Sequence, residues 1–269
     1  MTATYDCSVD SQLLAGMRLA RGAIGRGELV VIPTDTVYGV AADAFNAEAV
    51  ARLLDAKGRD RTSPPPVLIP GIPTLDALAS EVPGPVRKLV AEFWPGGLTV
   101  VLHAQPSLQW DLGETRGTVA LRMPANPIAL ELLSETGPLA VSSANLSGMP
   151  SATTAAAAAE MLGDSVTVYL DGGAAGEAYA PIGERPGDTS STIIDATGLA
   201  EDGGTLRIVR AGVISREQIA AVVGEELLAP SAGGPRADDA ASESPDQAGA
   251  VEPAGTVDPG DDGADAAAS

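Results

Sequence analysis

The sequence has little of what enzymes most often use as nucleophile, general base or metal ligand. Cys7 is its only cysteine and His103 its only histidine in 269 residues. One cysteine excludes a disulfide framework and a cysteine-rich metal site. A histidine-based hydrolytic triad would depend wholly on His103, at the end of an apolar run, and nothing else argues for it. Without Cys, Asp or Glu at metal-ligand spacing, His103 reads as structural. No G-x-S-x-G elbow, Walker-A loop or G-x-G-x-x-G fingerprint occurs. Aromatics make up 3% of the chain and the formal net charge is −20, which together argue against a non-enzymatic RNA-binding module that stacks bases or tracks phosphates. No apolar run approaches the ~20 residues of a membrane span, and MTATYDCSVDSQ has neither the charged nor the apolar region of a signal peptide. The expected home is the cytosol, with no membrane partner.

What is abundant is glycine and proline, 31 and 21 residues, and they punctuate short apolar segments. From Ala229 onward large apolar residues all but disappear, the signature of a disordered tail over 229–269. Nine acids and one base lie there, a net −8 of the −20, leaving −12 on residues 1–228. That remainder suffices for one domain, expected over 10–224.

Within it, a first helix is expected over 8–27, capped at Ser11 and burying Leu13, Leu14, Met17 and Leu19. A strand over 29–32 stops at Pro33, because proline cannot donate to a ladder. The hydroxyls and carboxylate of Thr34, Asp35 and Thr36 follow, then a helix whose Ala49, Val50, Leu53 and Leu54 share one face. Lys57 and Arg59 end it, where cations are also favoured for purely local reasons. Further strands are expected at 67–69, 98–102, 119–122, 139–142, 166–170, 191–195 and 206–210. Helices are expected at 74–80, 84–93, 127–135, 152–162 and 215–223. The sum is an α/β domain with a mixed twisted sheet.

Cations at element ends among Ser, Thr and Gly suit phosphate and carboxylate binding. Lys57, Arg59 and Arg210 are placed so. Phosphoryl and nucleotidyl transfer demand positioning and charge stabilisation, not a protein nucleophile. Arg122, at the end of an apolar strand, can hold a carboxylate with both arms of its guanidinium or form a surface ion pair.

Seven blocks in order, PTDTVYG (33–39), KGR (57–59), FWPGGLTVVL (93–102), VALRMP (119–124), PLAVSSANLSG (138–148), SSTIID (190–195) and LRIVRAG (206–212), resemble the YrdC/Sua5 family of threonylcarbamoyl-AMP synthases. The resemblance covers roughly residues 10 to 224 and implies a short, single-domain bacterial-type member, with a concave sheet face that binds ATP, bicarbonate and L-threonine. It implies a nucleotidyltransferase that yields threonylcarbamoyl-AMP and pyrophosphate. The product would pass to a separate transferase complex modifying adenosine 37 of tRNAs that read ANN codons, with no strong tRNA binding by this chain. By the same resemblance Thr36, Arg122, Val141 and Ser191 line the threonine pocket. Lys57, Arg59, Ser63, Ser143, Asn145, Ser151 and Arg210 surround ATP, with Lys57 and Arg59 taking the catalytic charge. Mg²⁺ is implied with ATP, and no protein metal site. Ser151 can equally be the N-cap of the alanine-rich helix.

Two departures stand out. The family's threonine-contacting histidine aligns with Leu68, which has no polar atom, and the segment after KGR is the unusual DRTSPPP. A related carbamoyl-adenylate-forming domain of metalloenzyme maturation is the other enzymatic reading. Its acylphosphatase and zinc-finger regions have no counterpart in a chain with one cysteine.

Overall fold

The computed structural model describes residues 2–179, 189–201 and 203–230. Most of the expected 229–269 tail, from residue 231 on, lies outside the described residues, as do residues 180–188 of the Gly- and Pro-rich stretch 171–189, which the sequence reads as a loop. Ten strands form one mixed sheet: β1 (Ala3–Asp6), β2 (Val30–Ile32), β3 (Gly39–Asp43), β4 (Val67–Leu68), β5 (Leu98–His103), β6 (Thr118–Arg122), β7 (Leu139–Ser143), β8 (Val168–Asp171), β9 (Thr192–Asp195) and β10 (Arg207–Arg210). Their spatial order is β1-β8-β2-β3-β7-β4-β6-β5-β9-β10. Among the described residues seven α-helices pack on it: α1 (Asp10–Gly25), α2 (Ala47–Lys57), α3 (Ile72–Leu78), α4 (Gly84–Phe93), α5 (Pro127–Thr136), α6 (Ala155–Leu162) and α7 (Arg216–Val223). The α/β class and the mixed sheet read from the sequence are what the structure has. Among the described residues no helix is long and apolar enough to cross a membrane.

The pleat divides the residues between two faces, because successive side chains alternate. Val31 pairs with Val40, Val67 with Ala140 and Leu121, and Val100 with Leu121 and Ile194. These point to one face, where α2 and α6 cover the β8-β2-β3 end and α3, α4 and α7 the β6-β5-β9 end. The opposite face carries Val30, Ala41, Val141, Leu139 and Leu68, packed beneath α1 and α5. Those two helices reach only half of it. The rest of it, from Val141 and Leu68 at the margin of the covered part across to β10, has no helix among the described residues.

Local sequence explains the elements, with instructive exceptions. α2 is capped by Asn46, whose side chain accepts from the Ala49 N–H, and stops at Gly58 in the left-handed region. α1 begins at Asp10 after Val9 with no side-chain cap, not at Ser11, and it buries Gly16, Met17, Ala20, Ala23 and Ile24. Leu14 is 70% exposed and Leu19 39%, so two expected core leucines face outward. Gly16 decides the matter: a Cβ there would meet Tyr5 at 2.8 Å, so the helix lies too close to β1 for large residues on that stripe. Two strands escape the sequence reading. β3 is buried on both faces and shows no alternation to detect, and β1 is four residues at the sheet edge, paired to β8.

The folded unit is wider than 10–224. β1 lies before it. After it, Leu228 is 5% exposed, and the backbone of Leu206 exchanges bonds of 2.8 Å with Leu227 and Ala229. Truncation after Gly224 should therefore lower the melting temperature by roughly 4–8 °C, from about 2 kcal/mol of lost leucine burial in a domain of this size. Truncation after Pro230 should leave it unchanged, because the removed sequence has almost no apolar surface to bury. Calorimetry on both truncations checks this; equal melting temperatures would contradict it.

Candidate active site

The uncovered half-face is the floor of a cavity of about 610 Å³. Alternate residues of five strands form it: Val141 from β7, Leu68 from β4, Thr118, Ala120 and Arg122 from β6, Val101 from β5, and Ile193 from β9. Its walls are Thr34, Thr36, Val37, Tyr38 and Gly39 from the connection into β3, then Arg59, Thr62, Ser63, Pro64 and Pro66, the end of β7 at Ser142 and Ser143, and Ser190, Ser191, Val209 and Arg210. Gly39 permits the close approach of that first wall, since a Cβ there would lie 2.5 Å from Val141.

Eight of the eleven residues singled out from the sequence line this cavity: Thr36, Arg59, Ser63, Arg122, Val141, Ser143, Ser191 and Arg210. They come from distant parts of the chain, and hydrogen bonds join Arg122 to Thr36 and Arg210 to Ser191. Arg122 is 6% exposed; its Nε donates to the Gly96 carbonyl (2.9 Å), Nη1 to Thr36 Oγ1 (2.9 Å) and Nη2 to Asp35 Oδ1 (2.7 Å). Thr36 Oγ1 is also 3.1 Å from Thr34 Oγ1, and Ser191 Oγ is 3.0 Å from Thr99 Oγ1. Arg210 donates to both the carbonyl and the hydroxyl of Ser191, at 2.9 Å each from Nη2. Arg59 Nη1 reaches Ser142 Oγ at 3.4 Å.

Lys57, Asn145 and Ser151 do not line the cavity. Lys57 is 1% exposed, and its ammonium donates to the Asn145 carbonyl (2.7 Å), to Asn145 Oδ1 (3.2 Å) and to the Ser143 carbonyl. Asn145 Nδ2 donates onward to the carbonyls of Met149 (2.6 Å) and Leu146 (3.0 Å). Lys57 and Asn145 thus fix the turn after β7 that carries Ser143 into the cavity wall. Ser151 does not cap α6 either; Thr154 does, accepting from the Ala157 N–H at 3.2 Å.

Sequence reasoning missed three participants. Asp35 forms a buried ion pair with Arg122, with side chains 9% and 7% exposed. Removing one partner of such a pair costs about 3–5 kcal/mol, because the other charge is stranded. Tyr179 donates its hydroxyl to Asp35 Oδ2 at 3.0 Å, and Thr189 donates to the Thr36 carbonyl at 2.6 Å. Burial first, then the neighbouring Asp35, pushes the Tyr179 phenol up to about 12, so it remains a donor at neutral pH. Asp35 was visible inside PTDT. Tyr179 had no local signal, lying 144 residues away in a glycine-rich stretch. Leu68 is 3% exposed on the cavity floor, beside Arg122 in register, so the aligned position offers only apolar contact.

A site with a buried guanidinium, two further arginines, several hydroxyls, and neither cysteine nor histidine can bind a carboxylate and phosphates together. Comparison with known proteins gives that chemistry a family. The Sua5/YciO/YrdC family model, described as "Telomere recombination", matches residues 22–212. A Mycobacterium tuberculosis (strain H37Rv) protein, provisionally named a threonylcarbamoyl-AMP synthase, is 50% identical over 224 residues, 83% of this chain and 96% of the relative. The threonylcarbamoyl-AMP synthase of Pyrococcus abyssi is 38% identical over 226 residues, 83% of this chain and 62% of that longer protein. The crystal structure of P. abyssi Sua5 complexed with L-threonine matches with a TM-score of 0.72 at 34% identity, over 88% of this chain and 66% of that one. With the family model running from α1 to the end of β10 and a relative matched over nearly its full length, the chain belongs to the Sua5/YciO/YrdC family.

Proposed function

We propose that this chain is a threonylcarbamoyl-AMP synthase, a nucleotidyltransferase that joins L-threonine, bicarbonate and ATP. One observation carries the reading: a carboxylate-type receptor, Arg122 with Thr36 and Ser191, shares a single cavity with the phosphate-type cations Arg59 and Arg210. Relatives named for the same product, and one solved with L-threonine, support it.

The threonine amine adds to the carbon of bicarbonate and water leaves, giving a carbamate. A carbamate oxygen then attacks the α-phosphorus of ATP, and the bond to the β-phosphate oxygen breaks to release pyrophosphate. Arg122 would orient the amino-acid carboxylate from the floor, with Thr36, Ser191 and the Val141 backbone around it. Arg59, Ser63, Ser143 and Arg210 would hold the nucleotide and offset the charge that builds on its phosphates, the contribution by which such transfers are catalysed. Lys57 and Asn145 would act one step back, holding the turn of Ser143. Mg²⁺ would travel with ATP and screen its phosphates. The ion would be carried mainly by phosphate oxygens and water, as Mg²⁺ commonly is in nucleotide sites. The adenylate would pass to a tRNA threonylcarbamoyl transferase complex in the cytoplasm.

Incubated with ATP and Mg²⁺, the protein should release pyrophosphate only when L-threonine and bicarbonate are both present. An ordinary amino-acid adenylating enzyme would use the carboxylate directly and ignore bicarbonate. Bicarbonate-independent release, or AMP without a threonylcarbamoyl adduct by mass spectrometry, would falsify the assignment.

Substitutions divide by the groups they touch. Arg210→Ala should keep its melting temperature and lose ~10²–10³ in rate, the usual cost of one preorganised charge. Lys57→Ala should lose activity and stability together, since it strips the donor from three buried oxygens. Arg122→Lys, which keeps the charge but not the fork, should raise KM for threonine far more than KM for ATP. Steady-state kinetics beside thermal denaturation check all three; a Lys57→Ala protein as stable as wild type would remove the clamp role.

A further inference from the structure

The Asp35 carboxylate has more partners than a salt bridge needs. Oδ1 is shared between Arg122 Nη2 at 2.7 Å and the backbone N–H of Ala125 at 2.8 Å, and Oδ2 accepts from the Tyr179 hydroxyl at 3.0 Å. Three segments distant in sequence therefore meet on one carboxylate: the β2–β3 connection, the turn from β6 into α5, and the chain after β8. Tyr179 also packs against Gly97, where a Cβ would lie 3.4 Å from the Tyr179 hydroxyl oxygen. Gly97 adjoins Gly96, whose carbonyl takes Arg122 Nε. The guanidinium is thus held in its own plane by Asp35, Thr36 and Gly96, and Tyr179 closes the ring of contacts from outside.

The chain near Tyr179 has a second tie to the same wall. At Gly176 (φ +84°) a Cβ would lie 2.6 Å from the Thr36 carbonyl, so this backbone passes against the residue beside Asp35. Thr36 in turn receives Arg122 Nη1, while Thr189 holds its carbonyl. An arginine side chain has four rotatable bonds, and a bidentate receptor works only when its plane is fixed.

We infer that Asp35 and Tyr179 are positioning residues for amino-acid recognition: together they lock the Arg122 guanidinium in the orientation that receives the substrate carboxylate, and Tyr179 ties the segment after β8 to that lock. This rests on the reading of Arg122 as the threonine-carboxylate receptor. Neither residue lines the cavity, so each acts through Arg122 and neither need touch the substrate.

The test uses the full chain and the variants Asp35→Asn and Tyr179→Phe, with two measurements. In the free protein, hydrogen–deuterium exchange of peptides covering 172–179 and 123–126 should speed up in both variants, because the shared carboxylate contacts are cut. By titration calorimetry, L-threonine affinity should fall roughly tenfold to a hundredfold in Asp35→Asn, which loses a charge-assisted bond, and roughly threefold to tenfold in Tyr179→Phe, which loses one neutral donor. ATP affinity should change less than about twofold in either, a split that general loosening of the fold would not produce. The double variant should fall short of the product of the two single effects, since both act on one guanidinium. Threonine affinity within twofold of wild type in Tyr179→Phe, or an equal loss for ATP and threonine, would overturn the inference. If Asp35→Asn fails to fold by near-ultraviolet circular dichroism, Tyr179→Phe decides alone. Wild-type pyrophosphate release that depends on threonine and bicarbonate, measured in parallel, reports separately on the substrate reading.

Discussion

A sheet with two apolar faces must cover both, and among the described residues this one covers the second only in part. Five helices pack along one face, while α1 and α5 pack on the β8-to-β7 half of the other. The rest of that face is the cavity floor. Its residues reflect the compromise: Val101, Ala120, Val141 and Ile193 are apolar and modest in size, and Arg122 is set among them. The uncovered half-sheet suits ligands that bring their own apolar and charged surface. Every polar group proposed to bind is presented around its rim or from its strands.

The same geometry resolves an electrostatic tension. The chain carries −20 overall, yet the substrates proposed for its site are anions. Arginines converge there from three elements, beside hydroxyl-bearing turns, while a net −8 of the −20 belongs to residues 229–269. Within about a Debye length the local arginines outweigh a diffuse net charge that solvent and salt screen. The buried Asp35 is the exception, and it serves the site by fixing Arg122. A buried cation with no carboxylate beside it would be costly to keep.

Lys57 is a buried charge that does not line the cavity. Its ammonium is enclosed by oxygens of Ser143 and Asn145, so it sets the shape of the turn that displays Ser143. The resemblance-based expectation placed Lys57 directly against developing phosphate charge. In the structure its ammonium meets oxygens of Ser143 and Asn145, and the clamp role proposed above rests on those contacts. Ser151 similarly leaves both roles considered for it, since it is absent from the cavity wall and Thr154 caps the helix.

The sequence alone determined the elements whose local chemistry is self-sufficient. The capped, periodic α2, the strand ended by Pro33, and the paired apolar and hydroxyl runs at β6, β7 and β9 were legible because period and breakers are encoded within a few residues. The ordered blocks then pointed to eight of the residues that line the cavity. Tertiary structure decided what depends on neighbours far along the chain. It turned α1 so that Ala20 and Ala23 are buried and Leu14 is not, because Tyr5 and Leu170 press against Gly16. It made β3 a central strand, where burial on both faces erases the alternation a sequence reading needs. And it joined Tyr179 to Asp35 across 144 residues, since a hydrogen bond is fixed by position in space and leaves no trace in spacing along the chain.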